Sequence, residues 1–211
     1  MAREHILHKV RTALGRSAGQ EPPPAPPVRL RVPELTGEQR IQEFLANVEA
    51  LAGKVYRART KQEARDIVST ALGRRGAVAS NAPFLRDCGI ATLDRVCSGV
   101  TDRVALRELC ATAEVGITSA DYGLADTGTL VMLSSAEEAR LVSLLPPAHI
   151  AVVPKERVLS GLDELFALLP LPAEQTSAMV LITGPSRTAD IEQILVRGVH
   201  GPGEIQVVVV G

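Results

Sequence analysis

Hydroxyl, carboxylate and glycine residues crowd into the segment ITSADYGLADTGTLVML, which sets Thr118, Ser119, Asp121, Asp126, Thr127 and Thr129 around Gly123 and Gly128. Glycine lets a backbone approach a ligand closely, and adjacent amides with threonine hydroxyls can cradle a carboxylate or phosphate. The same residue types also close tight turns through local hydrogen bonds, so spacing alone leaves both uses open.

A second segment, LITGPSRTADIEQILVRG, runs from an apolar stretch through Gly184 and Pro185 into what its periodicity predicts to be an amphipathic helix near 188–197. The N-terminus of such a helix attracts anions. Ser186, Thr188 and Asp190 are each suitable caps, and Asp190 with Gln193 has the capping-box spacing. One cap suffices, so Ser186, Thr188 and above all Arg187 exceed the structural need. Arg187 offers a bidentate fork to a carboxylate or phosphate, although a solvated loop arginine is an equally ordinary use of the residue.

The third segment, VRGVHGPGEIQ, places Gly198 to end that helix and Gly201, Pro202 and Gly203 to force a turn. His200 has no evident structural duty there. It is a candidate general acid or base, or a donor to an anion, and otherwise a turn histidine bonded to backbone. His149 after Pro146 and Pro147, and Arg140 on a helix begun by the Ser135 and Glu138 capping box, carry the same ambiguity more weakly. The sharpest expectation is that ADTGT, TGPSRTAD and GVHGPG converge on one anion pocket at strand ends. Thr127, Gly128, Thr129, Gly184, Ser186, Arg187, Thr188 and Asp190 would bind the ligand, and His200 would exchange a proton.

These segments need a scaffold, and the apolar runs predict an α/β fold, mostly parallel sheet flanked by helices. AVAS at 77–80, GIATL at 89–93, VGIT at 115–118, TLVML at 129–133, HIAVVP at 149–154, AMVLIT at 178–183 and IQVVVVG at 205–211 are strand-like. The unbroken apolarity of AMVLIT and IQVVVV predicts strands buried on both faces. The stretch 115–133 has no room for a helix, so hairpin-like pairing is expected there. Helices are predicted around Ile41 to Leu51, Ala64 to Leu72, and near 101–112, 135–145, 161–169 and 188–197. Ile6, Leu7, Val10 and Leu14 predict an amphipathic helical appendage over 1–20. EPPPAPP then forms a proline-rich linker over 21–33, leaving 34–211 as the main domain.

Composition excludes several functions. The 211 residues suit one large domain, and 23 basic against 24 acidic residues leave no positive field for nucleic acid. Aromatics are only 2%, so stacking platforms for bases are missing. Cys88, Cys97 and Cys110 form no CxxC pair, which argues against a disulfide framework or metal knuckle and for a reducing, cytoplasmic setting. No run approaches the roughly 18 apolar residues of a membrane span. Walker, GxGxxG, GxSxG and HExxH motifs are absent, and His149 and His200 with Asp126 or Asp190 lack a specific metal spacing.

VGITSADYGLADTGTLVML, then EEARLVSLLPPAHIAVV, then LITGPSRTADIEQILVRGVHGPGEIQVVVV resembles the lactate-utilization protein C family of small LUD-domain proteins. The likeness covers residues 113 to 211, with ADTGT, LPPAHI, TGPSRTADIE and GVHGP in the family's order. It implies a domain similar to the superfold of sugar-phosphate isomerases, glucosamine-6-phosphate deaminases and CoA transferases. It also implies a part in oxidising L-lactate to pyruvate beside an iron–sulfur protein and a larger LUD-containing protein. The chain itself has no cysteine clusters and no dinucleotide fingerprint, so no cofactor is expected on it and it would be one subunit. CoA transferases use a glutamate nucleophile where the matching loop here offers Asp126, so covalent CoA transfer is not expected, although Asp126 joins His200 as a candidate catalytic residue. A free-standing enzyme on a phosphorylated or CoA-linked metabolite and a non-catalytic metabolite sensor are the alternatives, and a homo-oligomer is left open.

Overall fold

The structure is a computed structural model that describes residues 2–17, 19–21, 35–188 and 196–211. The proline-rich segment expected as a linker falls outside these residues apart from Glu21, and so does Asp190. The chain divides into two compact units, Met1–Leu30 and Arg31–Gly211. The first contains α1 (Ala2–Ala13).

The second unit opens with α2 (Gly37–Ala50). Thr36 accepts from the Gln39 amide, and the Gln39 side chain accepts from the Thr36 amide, a reciprocal cap that fixes where the helix starts. Ile41, Phe44 and Val48 then fall on one face and are buried. Next come β1 (Lys54–Ala58), α3 (Lys61–Leu72) capped by Thr60, β2 (Ala77–Ala79), α4 (Pro83–Asp87), β3 (Val96–Cys97), and α5 (Arg103–Thr112) capped by Asp102. The middle of the chain holds β4 (Val115–Ser119), β5 (Tyr122–Leu124), β6 (Thr129–Leu133), α6 (Leu141–Leu144), β7 (Ala148–Pro154), β8 (Val158–Leu159) and α7 (Leu162–Leu168). The last part holds β9 (Met179–Ile182), β10 (Arg187–Thr188), β11 (Val196–Arg197) and β12 (Glu204–Val210).

The main sheet has the order β1-β12-β7-β4-β2-β3, and every pair in it is parallel. The fold class expected from the apolar runs is therefore the one observed. Val208 and Val210 of β12 pack with Ala64, Val68 and Leu72 of α3, while Val207 and Val209 pack with Ile41, Phe44 and Val48 of α2. Each buried valine is worth roughly 1.5 to 3 kcal/mol, which keeps β12 inside the sheet rather than at its edge. A smaller sheet of order β8-β5-β6-β9 shares the α2 side, with Leu130 and Met132 of β6 in the same core. Its other face buries Leu124, Val131 and Leu159 against Leu165 of α7.

Several elements depart from expectation. AMVLIT is not a doubly buried parallel strand: β9 pairs antiparallel with β6 at the margin of the smaller sheet, and Leu181 is 43% exposed. An apolar run specifies a strand but not which sheet takes it. GIATL is no strand, because Gly89 turns left-handed (φ 70°) into a single 3-10 turn and Ile90 is buried there. The edge strand β1 was missed because its mixed pattern, KVYRA, reflects pairing on one side only. The helix expected at 135–145 shrinks to α6. Ser135 accepts from the Glu138 amide, but the Glu138 carboxylate turns inward and the chain bends before the helix begins.

The helix expected near 188–197 is also overturned at both ends. Thr188 pairs with Val196 and Arg187 with Arg197 in an antiparallel ladder, and backbone held extended by cross-strand pairing cannot be helical. Residues 189–195 between them lie outside the described residues.

Candidate functional site

Two places gather polar side chains, and the first is where the motif segments meet. The Thr127 hydroxyl donates to Asp126 Oδ1 at 3.1 Å. Thr127 Oγ1 lies 2.8 Å from Thr129 Oγ1, which lies 2.8 Å from Thr183 Oγ1. A hydroxyl has one proton, so the carboxylate at one end sets the direction: Thr183 donates to Thr129, Thr129 to Thr127, and Thr127 to Asp126. The chain of hydroxyls ties ADTGT to TGPSRT.

The C-terminal end of α2 forms the floor. Asn47 Nδ2 donates to the Ala125 carbonyl at 2.7 Å, and Gly128 (φ 63°) rests so closely on Asn47 and Val48 that no side chain would fit. Gly184 packs on Leu51, and Arg187 Nη2 donates to the Leu51 carbonyl at 2.5 Å. A guanidinium on a terminal carbonyl satisfies a helix-end acceptor and opposes the negative end of the helix dipole. The sequence reading assigned Arg187 to the N-terminus of the following helix; the structure puts it at the C-terminus of α2.

GVHGPG joins on the far side. The Ser186 amide donates to the Pro202 carbonyl at 2.9 Å, the Gly198 amide to the Ser186 carbonyl at 3.0 Å, and the Gly203 amide to the Pro147 carbonyl at 3.0 Å. Thr127, Gly128, Thr129, Gly184, Ser186, Arg187 and the turn carrying exposed His200 are thus linked through neighbouring segments. Asp126 is turned toward α7, its Oδ2 packed on Gly161. Thr188 enters through its backbone in β10, and Asp190 is outside the described residues.

The second place lies at the carboxyl ends of the parallel strands. The chain leaves β2 toward α4 on the α3 side and leaves β4 toward β5 on the α2 side, so the two loops part to opposite faces. Ligand crevices of open α/β sheets form at such a parting. A crevice of about 220 Å³ opens here, lined by Phe84, Ser119, Asp121, Ser135, Glu137 and Glu138 among others. Glu138 is buried, its Oε2 accepts from the Ser80 hydroxyl at 2.8 Å, and its Oε1 has no hydrogen-bond partner. Burial pushes its carboxyl up to about 8; the nearby Asp121 charge adds to this, while the Ser80 hydroxyl and Ser119 amide oppose it. Asp121 is also shifted upward by burial, against the Leu133 amide that donates to it at 2.6 Å and the opposite charge of Arg157.

Sequence reasoning missed Ser80 and gave Glu138 only a capping duty. The second of two adjacent glutamates, three residues before the apolar run that starts at Leu141, carries no local mark of burial. His149 is not at a surface: it is fully buried, Nε2 lies 2.7 Å from Thr118 Oγ1, and burial lowers its imidazole to about 4. The cysteines do not converge. Cys88 packs in the α3 core, Cys110 sits with Val78 and Val142, and Cys97 is exposed. Among the described residues no three His, Cys, Asp or Glu side chains are grouped to hold a metal. No helix among them is long and apolar enough to cross a membrane.

Residues 41–210 match the LUD domain. A protein named YkgG from Escherichia coli K12 is 32% identical over 217 residues, covering 95% of this chain and 94% of that one. Lactate utilization protein C of Halalkalibacterium halodurans is 43% identical over 106 residues, 48% of this chain and 46% of that protein. Its counterpart from Bacillus licheniformis is 39% identical over 102 residues, 46% of this chain and 42% of that protein. The matched stretch therefore spans less than half the length of these two relatives. A crystal structure of a DUF162 family protein from Deinococcus radiodurans superposes with a TM-score of 0.67 at 20% identity, over 84% of this chain and 99% of that one, a likeness of fold.

Proposed function

The chain belongs to the LUD-domain family, and from that premise we propose that it acts in lactate utilization, as one subunit of an iron–sulfur system that oxidises L-lactate to pyruvate. The names of the Halalkalibacterium and Bacillus relatives support the process. The observation that carries the reading for this chain is the linkage of ADTGT, TGPSRT, GVHGP and LPPAHI into one junction through Thr129, Ser186 and Pro147. Segments far apart in sequence are bound there by polar contacts, with Thr129 buried among them and Thr127, Arg187 and His200 exposed at the rim.

In this reading the junction handles a small carboxylate. Arg187 has one nitrogen on Leu51 and keeps its charge at the exposed edge, where it attracts an anion. Ser186 and Thr127 add hydroxyls, and His200 in the adjoining turn exchanges a proton. Iron–sulfur clusters on a cysteine-rich partner would supply the electron transfer in this reading, and Cys88, Cys97 and Cys110 of this chain would take no part in it.

Deleting the gene in its native host tests the proposal. Growth on L-lactate should fail, return with the parent gene, and return poorly with Arg187→Lys, which keeps charge but loses the fork. The parent protein should co-purify with an iron–sulfur protein and a larger LUD-containing protein. Undiminished growth of the deletion strain, with no paralogue in the genome, would sink the assignment.

A further inference from the structure

The crevice between the ends of β2 and β4 shares no lining residue with the motif junction and has the opposite electrostatic character. Asp121 and Glu137 bring carboxylates to it, and no arginine or lysine is among its lining residues. The observation that points to a ligand is Glu138, only 6% exposed, held on Oε2 by Ser80 and influenced by the Ser119 backbone, with no hydrogen bond made to Oε1. Leaving a buried acceptor open is costly, so such a group is kept where something else completes it.

We propose that this crevice is a second small-molecule site, one that takes a ligand bearing an organic ammonium group, with Glu138, Asp121 and Glu137 as its acceptors and the Ser119 hydroxyl orienting the remainder. An ammonium carries three donors and a positive charge, which suits converging carboxyl oxygens and would be repelled by the environment an anion needs. The volume of about 220 Å³ holds some seven waters at about 30 Å³ each, which limits the ligand to a small amine.

Binding would be coupled to a proton. Burial raises the Glu138 carboxyl to about 8 and so favours its neutral form in the unliganded fold. The charged groups around it are Asp121, itself opposed by Arg157, the exposed Glu137, and, beyond Phe84 of α4, the Lys61–Asp87 pair, whose ammonium lies over the Phe84 ring. A bound ammonium favours the carboxylate form, so Glu138 releases its proton to solvent as the ligand arrives.

Ethanolamine is the probe, titrated into the full chain with calorimetry and carbon-13 NMR of the glutamate carboxyls as readouts. Saturable binding should tighten about tenfold per pH unit below about pH 8, level off above it, and weaken again once the amine itself loses its proton, because only the ionised fraction of Glu138 and the ammonium form of the ligand are competent. The NMR titration of Glu138 should move to lower pH when ethanolamine is present. Glu138→Gln should bind at least tenfold more weakly at alkaline pH and lose the pH dependence. Should that variant not fold, Glu137→Gln at the exposed rim should weaken binding several-fold and keep the dependence. Absence of saturable ethanolamine binding, the parent's pH dependence persisting in Glu138→Gln, parent-like binding by Glu137→Gln, or a Glu138 signal that responds to L-lactate instead would each overturn the site. None of these results bears on the lactate assignment, which rests on the other junction.

Discussion

Ser80 at the end of β2 donates its hydroxyl proton to Glu138 Oε2 at 2.8 Å, a buried contact between residues 58 apart in sequence. It closes the inner end of the crevice and pins the bend at 136–138 to the main sheet. The Asn81 amide donates to the Glu137 carbonyl at 2.8 Å beside it, so side-chain and backbone bonds tie the same two loops together.

The burial of Glu138 makes stability depend on pH in an unusual direction. Its carboxyl is raised to about 8 in the fold from an ordinary 4.5. Between those values the native state holds one more proton than the unfolded chain. The stability it contributes is complete below about 4.5 and is lost as pH rises through about 8. The expected slope is about 1.4 kcal/mol per pH unit. Glu138→Gln keeps the shape without the charge, so it should flatten the profile and exceed the parent in alkaline urea titrations. Parallel profiles for the two proteins would mean that Glu138 is ionised in the fold.

His149 should act at the other end of the scale. Its imidazole falls to about 4 from 6.5, so the native state holds fewer protons between these values. Stability present above about 6.5 is therefore lost as pH drops toward about 4. His149→Leu should remove that acid sensitivity but leave the Thr118 hydroxyl with only Met132 Sδ at 3.9 Å, a loss of about 1 to 3 kcal/mol at neutral pH. Adding Thr118→Val should recover part of it, and a double-mutant cycle by denaturant unfolding measures the coupling.

Gly128→Ala should be far costlier than a typical glycine replacement. The residue sits at φ 63°, and a Cβ would lie 2.6 Å from the Val48 amide nitrogen and 2.7 Å from the Asn47 carbonyl carbon. Either α2 moves or the turn opens, at an expected cost of about 2 to 4 kcal/mol. Gly37→Ala, with nothing within 4 Å and no positive φ, should change stability by less than about 1 kcal/mol and serves as the control. Equal melting temperatures for both variants would contradict the close approach.

Arg187→Lys should separate folding from function. The side chain is exposed and makes one bond to the Leu51 carbonyl, so unfolding free energy should fall by no more than about 1.5 kcal/mol. Poor complementation of lactate growth by a protein this stable would place the arginine in ligand handling. Full complementation would leave it as a helix-end anchor.

Elements whose cause is local could be read directly. Apolar spacing marks α2 at Ile41 to Leu51 and α3 at Ala64 to Leu72, and the structure adds the Thr36, Thr60 and Asp102 caps that fix where α2, α3 and α5 begin. IQVVVV announces a doubly covered strand, because alternate valines face α2 and α3. The family likeness was legible for a similar reason: ADTGT, LPPAHI, TGPSRTADIE and GVHGP are contiguous strings. Contacts between distant residues left no such trace. The choice of the smaller sheet for β9 depended on its pairing with β6, and the 188–197 periodicity yielded to the ladder joining Arg187 and Thr188 to Arg197 and Val196. Arg187 went to the end of α2 because Leu51 offers an unfilled carbonyl there, 136 residues away. The Ser80–Glu138 contact was illegible in the same way: burial of a carboxyl is a property of the surface assembled around it, and β2, β4 and the bend at 136–138 supply that surface only once the sheet has formed.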